Sequence, residues 1–371
     1  MKNILFLHSS SDLYGSDRSL LNLVKNLDKE KFKISVVLPC EGPLVEEIKK
    51  IQNVNVIIKE IAVLRRKNLS IKGIINYIYA SLNSMKFLIK IVKNNNIDII
   101  YTNTSVVFSG GIIAKLLRKK SVWHVREIIT NGFERKIVSF IVNKFSDVII
   151  ANSKATGDSI TKSKKKLKIV YNAIESNGDS VKQQIDNKDV VTIGMAGRIN
   201  RWKGQKLFVD SAVDVLQKFE NVNFLIAGDV YKGEEHILCE LKEYIRSKGI
   251  ENKIEFLGQV NDMNRFYKSL DIFILPSTQP EPFGLVVIEA MDNELPVIAT
   301  NHGGPTEIID NGENGYLVDY KNSAEMSSRM LELVANKNLR KHIGLKAKQK
   351  RNDTFTITKY VENISQILSE V

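Results

Sequence analysis

The sequence predicts an α/β protein built from two doubly wound domains, and three observations predict it. Short runs of β-branched and other apolar residues recur along all 371 residues, separated by stretches long enough for crossover helices. The runs are apolar at successive positions, as strands buried on both faces of a parallel sheet must be. A polar stretch with no apolar period, residues 175–188 (ESNGDSVKQQIDNK), splits the series near its middle.

The elements follow in order. In the first half, strands are expected at residues 4–8, 34–38, 54–58, 97–101, 122–124 and 148–151. In the second half they are expected at 190–195, 223–227, 254–257, 271–275 and 296–299. Residues 16–27, 202–219 and 234–248 are long enough to return the chain as helices between parallel strands. Pro276 ends the strand before it, and 283–291 reads as a helix entered from a loop. The chain is helical and basic after Lys337, and its last stretch places Phe355, Ile357, Tyr360, Val361, Ile364, Ile367 and Leu368 at helical spacing. The expected domains are residues 1–175 and 189–355, joined by a linker at 176–188.

Composition narrows the class. With 43% hydrophobic and 26% charged residues the chain reads as an ordinary soluble globular protein. No apolar run reaches the roughly 18 residues that cross a bilayer. The start, MKNILFLHSS, reads as a first strand rather than a leader, because it is short and contains His8. Cys40 and Cys239 lie in different halves, with neither metal-ligand spacing nor a disulfide framework, so a cytoplasmic setting is expected. The net charge of +12 suits an anionic membrane surface or phosphorylated substrates, and equally a composition rich in Lys and Asn. No nucleic-acid-binding motif accompanies the basic residues.

Ligands of open α/β sheets bind beyond the carboxyl ends of the strands, and the polar motifs fall there. Glu281-Pro282-Phe283-Gly284-Leu285-Val286-Val287-Ile288-Glu289 sets two carboxylates eight positions apart, one in a loop and one in a helix. Two helical turns separate them by about 11 Å, too far for a glycosidase pair but suited to two ends of one extended ligand. A surface glutamate and an ordinary helix glutamate remain the plain alternative. Arg198 and Lys203 follow the strand at 190–195 and can meet an anion, or can belong to a solvated loop. Gly15 lies between the first strand and its helix, where backbone N–H groups can approach a ligand. His124, Asn103, Thr104 and Asn152, with Ser153, follow strands of the first half. His302-Gly303-Gly304 follows a strand of the second. No Asp-x-Asp and no His/carboxylate cluster stands at metal spacing, so no metal is expected.

Four segments in order are LYGSDRSL at 13–20, GRINRWKG at 197–204, EPFGLVVIE at 281–289 and TNHGGPTEI at 300–308. Together they resemble the retaining glycosyltransferases of family 4, the group 1 type with the GT-B fold, over essentially the whole chain. That resemblance implies two Rossmann-like domains facing a central cleft, with a final helix, 356–371, crossing back onto the first. It implies transfer of a sugar from a nucleotide diphosphate sugar to a hydroxyl acceptor, a lipid-linked saccharide of capsule or lipopolysaccharide assembly. Glu281 would take donor-sugar hydroxyls and Glu289 the ribose. Arg198 and Lys203 would hold the diphosphate, and Phe283, Gly284 and Leu285 would meet sugar and phosphate through their backbone. Gln259 and Val260 would flank the base, and His124 would touch the donor sugar. Asn103, Thr104 and Asn152 would serve the acceptor side. A nucleotide-sugar 2-epimerase and a non-catalytic binding subunit of the same fold remain the alternatives. A last expectation concerns location. Arg65-Arg66-Lys67 and the apolar, lysine-bearing stretch 69–92 read either as a helix packed on the sheet or as a surface peripheral to an anionic membrane.

Overall fold

The computed structural model describes residues 1–64, 70–130, 132–176 and 190–371. The basic cluster Arg65-Arg66-Lys67 and nearly all of the expected linker lie outside the described residues. Contacts divide the chain into two units, Met1–Ala173 with Ile357–Val371, and Ile174–Thr356.

In the first unit strands and helices alternate as β1 (Lys2–Leu7), α1 (Gly15–Asn26), β2 (Phe32–Leu38), α2 (Pro43–Lys49), β3 (Val54–Ile58), α3 (Ile71–Asn94) and β4 (Ile99–Thr102). They continue as α4 (Ser109–Leu116), β5 (Lys120–Val125), α5 (Gly132–Phe145), β6 (Val148–Ala151), α6 (Lys154–Ile160) and β7 (Leu167–Ile169). All pairings are parallel, in the order β3-β2-β1-β4-β5-β6-β7. Alternate side chains of each strand enter opposite layers, which is why both faces read as apolar. Ile4 and Phe6 pack with Leu20 and Leu23 of α1 and Leu44 of α2, while Leu5 and Leu7 pack with Leu88 of α3 and Ile113 of α4. Trp123 and Val125 meet Val138 and Val142 of α5 on that second face.

The second unit runs β8 (Val191–Ala196), α7 (Gln205–Leu216), β9 (Val222–Ala227), α8 (Glu235–Ser247), β10 (Ile254–Gly258), α9 (Met263–Lys268) and β11 (Ile272–Leu275). It ends with α10 (Leu285–Asp292), β12 (Val297–Thr300), α11 (Pro305–Ile308), β13 (Tyr316–Val318), α12 (Ser323–Ala335) and α13 (Lys337–Thr354). Its parallel sheet has the order β10-β9-β8-β11-β12-β13, that of a dinucleotide-binding fold. The last helix, α14 (Ile357–Glu370), belongs to the first unit. Its Tyr360, Ile364, Ile367 and Leu368 join the core beside α1, and Lys2 Nζ donates to the carbonyls of Leu368 and Ser369 at 3.0 and 2.8 Å.

All eleven expected strands are present. The structure adds β7 and β13, three-residue edge strands too short to show a period. Two helices start later than the sequence suggests. The helix expected from Trp202 begins at Gln205, and the one expected from Phe283 begins at Leu285. In both cases a left-handed glycine sets the start, Gly204 with φ +78° and Gly284 with φ +101°.

Gly204 also permits close packing, since a Cβ there would lie 1.7 Å from the carbonyl oxygen of Pro276. The Gly204→Ala variant is therefore expected to lose about 2 kcal/mol or more through left-handed strain and this clash. Urea unfolding followed by circular dichroism measures it.

Candidate functional site

In each sheet the winding reverses beside the first strand of the unit, between β8 and β11 in the second and between β1 and β4 in the first. The loops that follow those strands diverge, and the space between them takes ligands.

In the second unit the loop after β8 carries Arg198 and Lys203, and the loop after β11 carries Glu281. Asn200 shapes the first loop, its Oδ1 accepting from the N–H groups of Trp202 and Lys203 at 3.1 and 2.9 Å. The two loops are tied together where Thr278 N–H donates to Trp202 O at 2.7 Å. Lys203 Nζ reaches Glu281 Oε1 at 2.5 Å, with both side chains nearly buried. Ser277 Oγ donates to the other carboxylate oxygen at 2.9 Å. A nearly buried ion pair is held only when its remaining lone pairs are also satisfied, and Ser277 does this here. The Arg198 guanidinium carbon lies over the Tyr231 ring, 3.4 Å from its centre, a cation–π contact.

The loop after β12 closes on Glu281 from the other side. Gly304 N–H donates to Glu281 O at 2.7 Å, and a Cβ on Gly303 or Gly304 would collide with the backbone of Glu281 or Phe283 at 2.3 Å. The glycines of the 300–308 motif thus let two loops meet. His302 Nε2 binds Ser277 O at 2.7 Å, and its ring stacks on Tyr320. Phe283 is buried against Phe355, so it meets the core and presents only its backbone to the loop surface. Glu289 is the fifth residue of α10, little more than one turn in rather than two, and accepts from Tyr267 OH at 2.8 Å. Gln259 is exposed and Val260 half-buried just past β10, where Gly258 accepts from Gly228 N–H at 2.7 Å.

In the first unit the carboxyl edge is a connected buried network. His8, past β1, meets Asp17 Oδ1 through Nε2 at 2.6 Å. Its Nδ1 faces the Asn103 Nδ2 at 3.1 Å. Arg126 Nε donates to Asn103 Oδ1 at 2.8 Å, which orients the amide, and His8 Nδ1 also lies 3.3 Å from the Asn103 backbone carbonyl oxygen. Arg126 also donates to Asn172 Oδ1 at 2.7 Å and Tyr360 OH at 2.8 Å, and Tyr360 donates to Ser19 O. Asp17 further accepts from Tyr14 N–H at 2.9 Å, so the first turn of α1, opened by exposed Gly15, already holds a carboxylate of its own.

Several first-unit candidates therefore differ from the sequence reading. Asn103 is fully buried with both ends of its amide engaged, so it orders the network rather than offering itself at the surface. Thr104 is also buried, its hydroxyl donating to Glu127 Oε1 at 2.7 Å and its carbonyl accepting from Trp123 Nε1 at 2.7 Å. His124 lies within β5 and is fully buried, not open at the strand end. Its Nδ1 accepts from Tyr101 OH at 2.5 Å and from Arg126, which leaves the proton on Nε2, without a partner. Burial first, and the Arg126 charge second, hold the imidazole well below its usual pKa. Burial likewise holds the Tyr101 hydroxyl protonated, well above its usual value. His124 is thus a neutral hydrogen-bond donor and not a proton-transfer group at neutral pH. Asn152 is buried past β6 with Oδ1 unpartnered.

The comparisons agree with this architecture. Residues 177–350 match the family described as glycosyl transferases group 1, and residues 14–177 match glycosyltransferase family 4. The chain is a group 1 glycosyltransferase of the GT-B fold. An uncharacterized glycosyltransferase of Methanocaldococcus jannaschii is 26% identical over 304 residues, which cover 78% of this chain and 80% of that one. A capsular polysaccharide biosynthesis glycosyltransferase of Staphylococcus aureus is 29% identical over 45% of this chain and 43% of its own. The crystal structure of Anabaena HepE in complex with UDP and glucose superposes with a TM-score of 0.84 at 24% identity, covering 100% of both chains.

Among the described residues of this glycosyltransferase, no group of three or more His, Cys, Asp or Glu side chains could hold a metal ion. Sequence reasoning missed Tyr231, Ser277 and Tyr267, each of which holds a candidate residue, and Asp17, which holds His8. The adjacency of Asp17 to the Gly15 motif was the one available signal. Ser277 lies in the same loop as Glu281, whereas Tyr231 and Tyr267 are brought in from other elements. It also left His8 without a role.

The neutral state of His124 makes a pH prediction. Its folded pKa lies below its unfolded value, so the unfolded chain binds the extra proton and stability falls as pH drops below about 6.5. The contribution of this one proton approaches about 1.4 kcal/mol per pH unit below that point. Stability curves from pH 8 to 5 are expected to flatten by up to that slope in His124→Gln.

Proposed function

We propose that this glycosyltransferase moves a hexose, with retention of anomeric configuration, from a nucleoside diphosphate sugar to a hydroxyl of a lipid-linked saccharide in cell-surface polysaccharide assembly. The observation that carries the reading is the Lys203–Glu281 pair at the reversal point of the second sheet. It joins a cation suited to a diphosphate and a carboxylate suited to sugar hydroxyls, one from each diverging loop. UDP is the first donor to try, given what the Anabaena structure holds. The capsule setting is supported by the Staphylococcus relative.

In this mechanism the acceptor oxygen attacks the anomeric carbon on the face from which the diphosphate leaves. The sugar–phosphate C–O bond breaks as the new glycosidic bond forms, and the acceptor proton passes to a donor phosphate oxygen. Arg198 and Lys203 stabilise the charge that develops on the leaving group. Lys203 then exchanges part of its contact with Glu281 for phosphate, which frees a carboxylate oxygen to orient sugar hydroxyls. The backbone of Phe283, Gly284 and Leu285 leads into the start of α10 toward the sugar and phosphate. Glu289 takes the ribose, and Gln259 and Val260 flank the base. Gly15 offers backbone contact. His124, fully buried in β5, lies behind that edge and takes no sugar contact in this reading. Asn152, with an unpartnered amide oxygen, serves the acceptor side. No metal is needed, because two fixed cations serve the diphosphate.

Glu281→Gln is expected to lower kcat/KM by about 10- to 150-fold, the worth of a charge-assisted hydrogen bond of about 1.5–3 kcal/mol, with folding retained. Arg198→Ala and Lys203→Ala are expected to lower kcat more than donor affinity. NMR of the product should show the donor's anomeric configuration, and the rate should survive EDTA. An inverted product, an epimer formed from donor alone, or metal-restored activity after EDTA would each replace the corresponding part of the reading.

A further inference from the structure

Helices α9 and α10 both begin just past the carboxyl end of a strand, α9 after β10 and α10 after β11. Tyr267 is the fifth residue of α9 and Glu289 the fifth of α10, so each stands about 6 Å along its helix. At that shared depth the Tyr267 hydroxyl donates to Glu289 Oε2 at 2.8 Å. The approach to α9 is short. Gln259 and Val260, the pair read as flanking the base, are followed by Asp262, which caps the helix by accepting from Arg265 N–H at 2.9 Å. One excursion from β10 thus carries the base-flanking residues and the phenol that grips Glu289.

Neither partner in this contact is loosely placed. The Tyr267 side chain is 1% exposed, and its ring meets Phe273 of β11 and Phe266 edge-on, with centres 5.4 and 5.3 Å apart. A ring packed on two sides in this way has one rotamer open to it, so its hydroxyl has one position. Helix α10 is equally fixed, because Val287, Ile288, Ala290 and Met291 around Glu289 are fully buried. Glu289 alone among them remains half-buried.

A buried phenol needs an acceptor, and any nearby carbonyl would do. Here it has a carboxylate from the next helix, and the arrangement is repeated at the other end of the same motif. Ser277, also fully buried, donates its hydroxyl to one oxygen of Glu281 at 2.9 Å. Each glutamate of the 281–289 segment is therefore held through one oxygen by a buried hydroxyl. A hydroxyl holds a carboxylate without cancelling its charge, which preserves its strength as an acceptor.

Holding the carboxylate has a consequence for selection. A freely turning glutamate loses rotamer entropy when a ligand orders it, and turns back to water when the ligand lacks a hydroxyl. A glutamate fixed beforehand does neither. It binds a matching hydroxyl more strongly, and it is left desolvated and unpaired beneath a ligand without one. The sugar of a nucleoside diphosphate differs in this respect between its ribose and 2′-deoxyribose forms.

We propose that Tyr267 is a positioning residue for the donor's nucleoside, holding Glu289 so that the enzyme takes ribonucleoside diphosphates and rejects their 2′-deoxy counterparts. This deepens the reading of Glu289 as the ribose residue and rests on it.

The test is isothermal titration calorimetry of the full chain with UDP, GDP and ADP, each beside its 2′-deoxy form. The unaltered chain is expected to prefer the ribose form of the nucleotide it binds by about 10- to 150-fold, the worth of a charge-assisted hydrogen bond. Tyr267→Phe keeps the ring and removes only the hydroxyl, and its circular dichroism melt checks that the packing survives. In that variant the preference is expected to fall about fivefold or more, with the ribose form bound more weakly and the 2′-deoxy form within about twofold of its original affinity. Glu289→Ala is expected to remove the preference, and Tyr267→Phe added to it to change nothing further, because the phenol acts only through the carboxylate. An unchanged preference in Tyr267→Phe, equal weakening of both forms, or additive effects in the double variant overturns the proposal and leaves the transferase reading standing. Equal binding of ribose and 2′-deoxy forms by the unaltered chain overturns the ribose role of Glu289 and the proposal with it. Failure of the unaltered chain to bind any of the three diphosphates overturns the donor reading itself, and the proposal falls with that.

Discussion

The functional geometry of both units depends on one constraint, the reversal of winding within a parallel sheet. Crossovers to one side of β1 or β8 run one way and those to the other side run the opposite way, so neighbouring loops part. Parted loops leave backbone groups and polar side chains without neighbours unless something bridges them. In the second unit the bridge is the Lys203–Glu281 ion pair. In the first it is the contact of His8 with Asn103. The two differ in kind. The first is a pair of opposite charges that a charged ligand can divide between its own groups. The second is locked into a larger buried network.

Arg126 is the centre of that network. A guanidinium this deeply buried is tolerated only when its donors are matched, and it is bonded to Asn103, Asn172, Tyr360 and His124. The matching has consequences at each partner. It fixes the Asn103 amide beside His8. Its positive field adds to the burial that, as the larger cause, keeps His124 neutral. It also ties the last helix to the first unit through Tyr360, beside the apolar contacts of Ile364 and Leu368. A single charge thereby connects the end of the chain to the loops of β1, β4 and β5. Rigid support of this sort suits a surface that must hold a ligand in one orientation.

Much of this was legible in the sequence, and the legible part has a physical signature. Parallel strands betray themselves as continuous apolar runs, so β1 to β6 and β8 to β12 could be read. Glu281, Lys203 and Arg198 could be read because loops beyond the carboxyl ends of strands are where ligands bind. The 300–308 motif could be read as a loop, but its purpose, backbone contact with Glu281 and Phe283, depends on where two separate strands end. Asn103, Thr104 and His124 were misplaced for one reason. Position after a strand says that a residue is near the edge, but not whether a neighbouring Arg126 or Glu127 turns it inward.

The sequence by itself determined the periodicities, and hence two parallel sheets, their polar division and the chemical character of each loop. Those follow from local rules, in which strand repeat, helix repeat and glycine tolerance act within a few residues. The tertiary structure decided the pairings across long separations, Lys203 with Glu281, His8 with Asp17 and Asn103, and Arg126 with Tyr360. It also decided the protonation of His124, because desolvation is a property of everything packed around a group and not of its own sequence. The same holds for the outer face of α3. Its apolar spacing was visible in the chain, but helical spacing alone cannot say which apolar stripe faces the sheet and which is left over. Only the packing of Leu88 and Val92 inward leaves Ile75, Tyr79 and Leu82 outside.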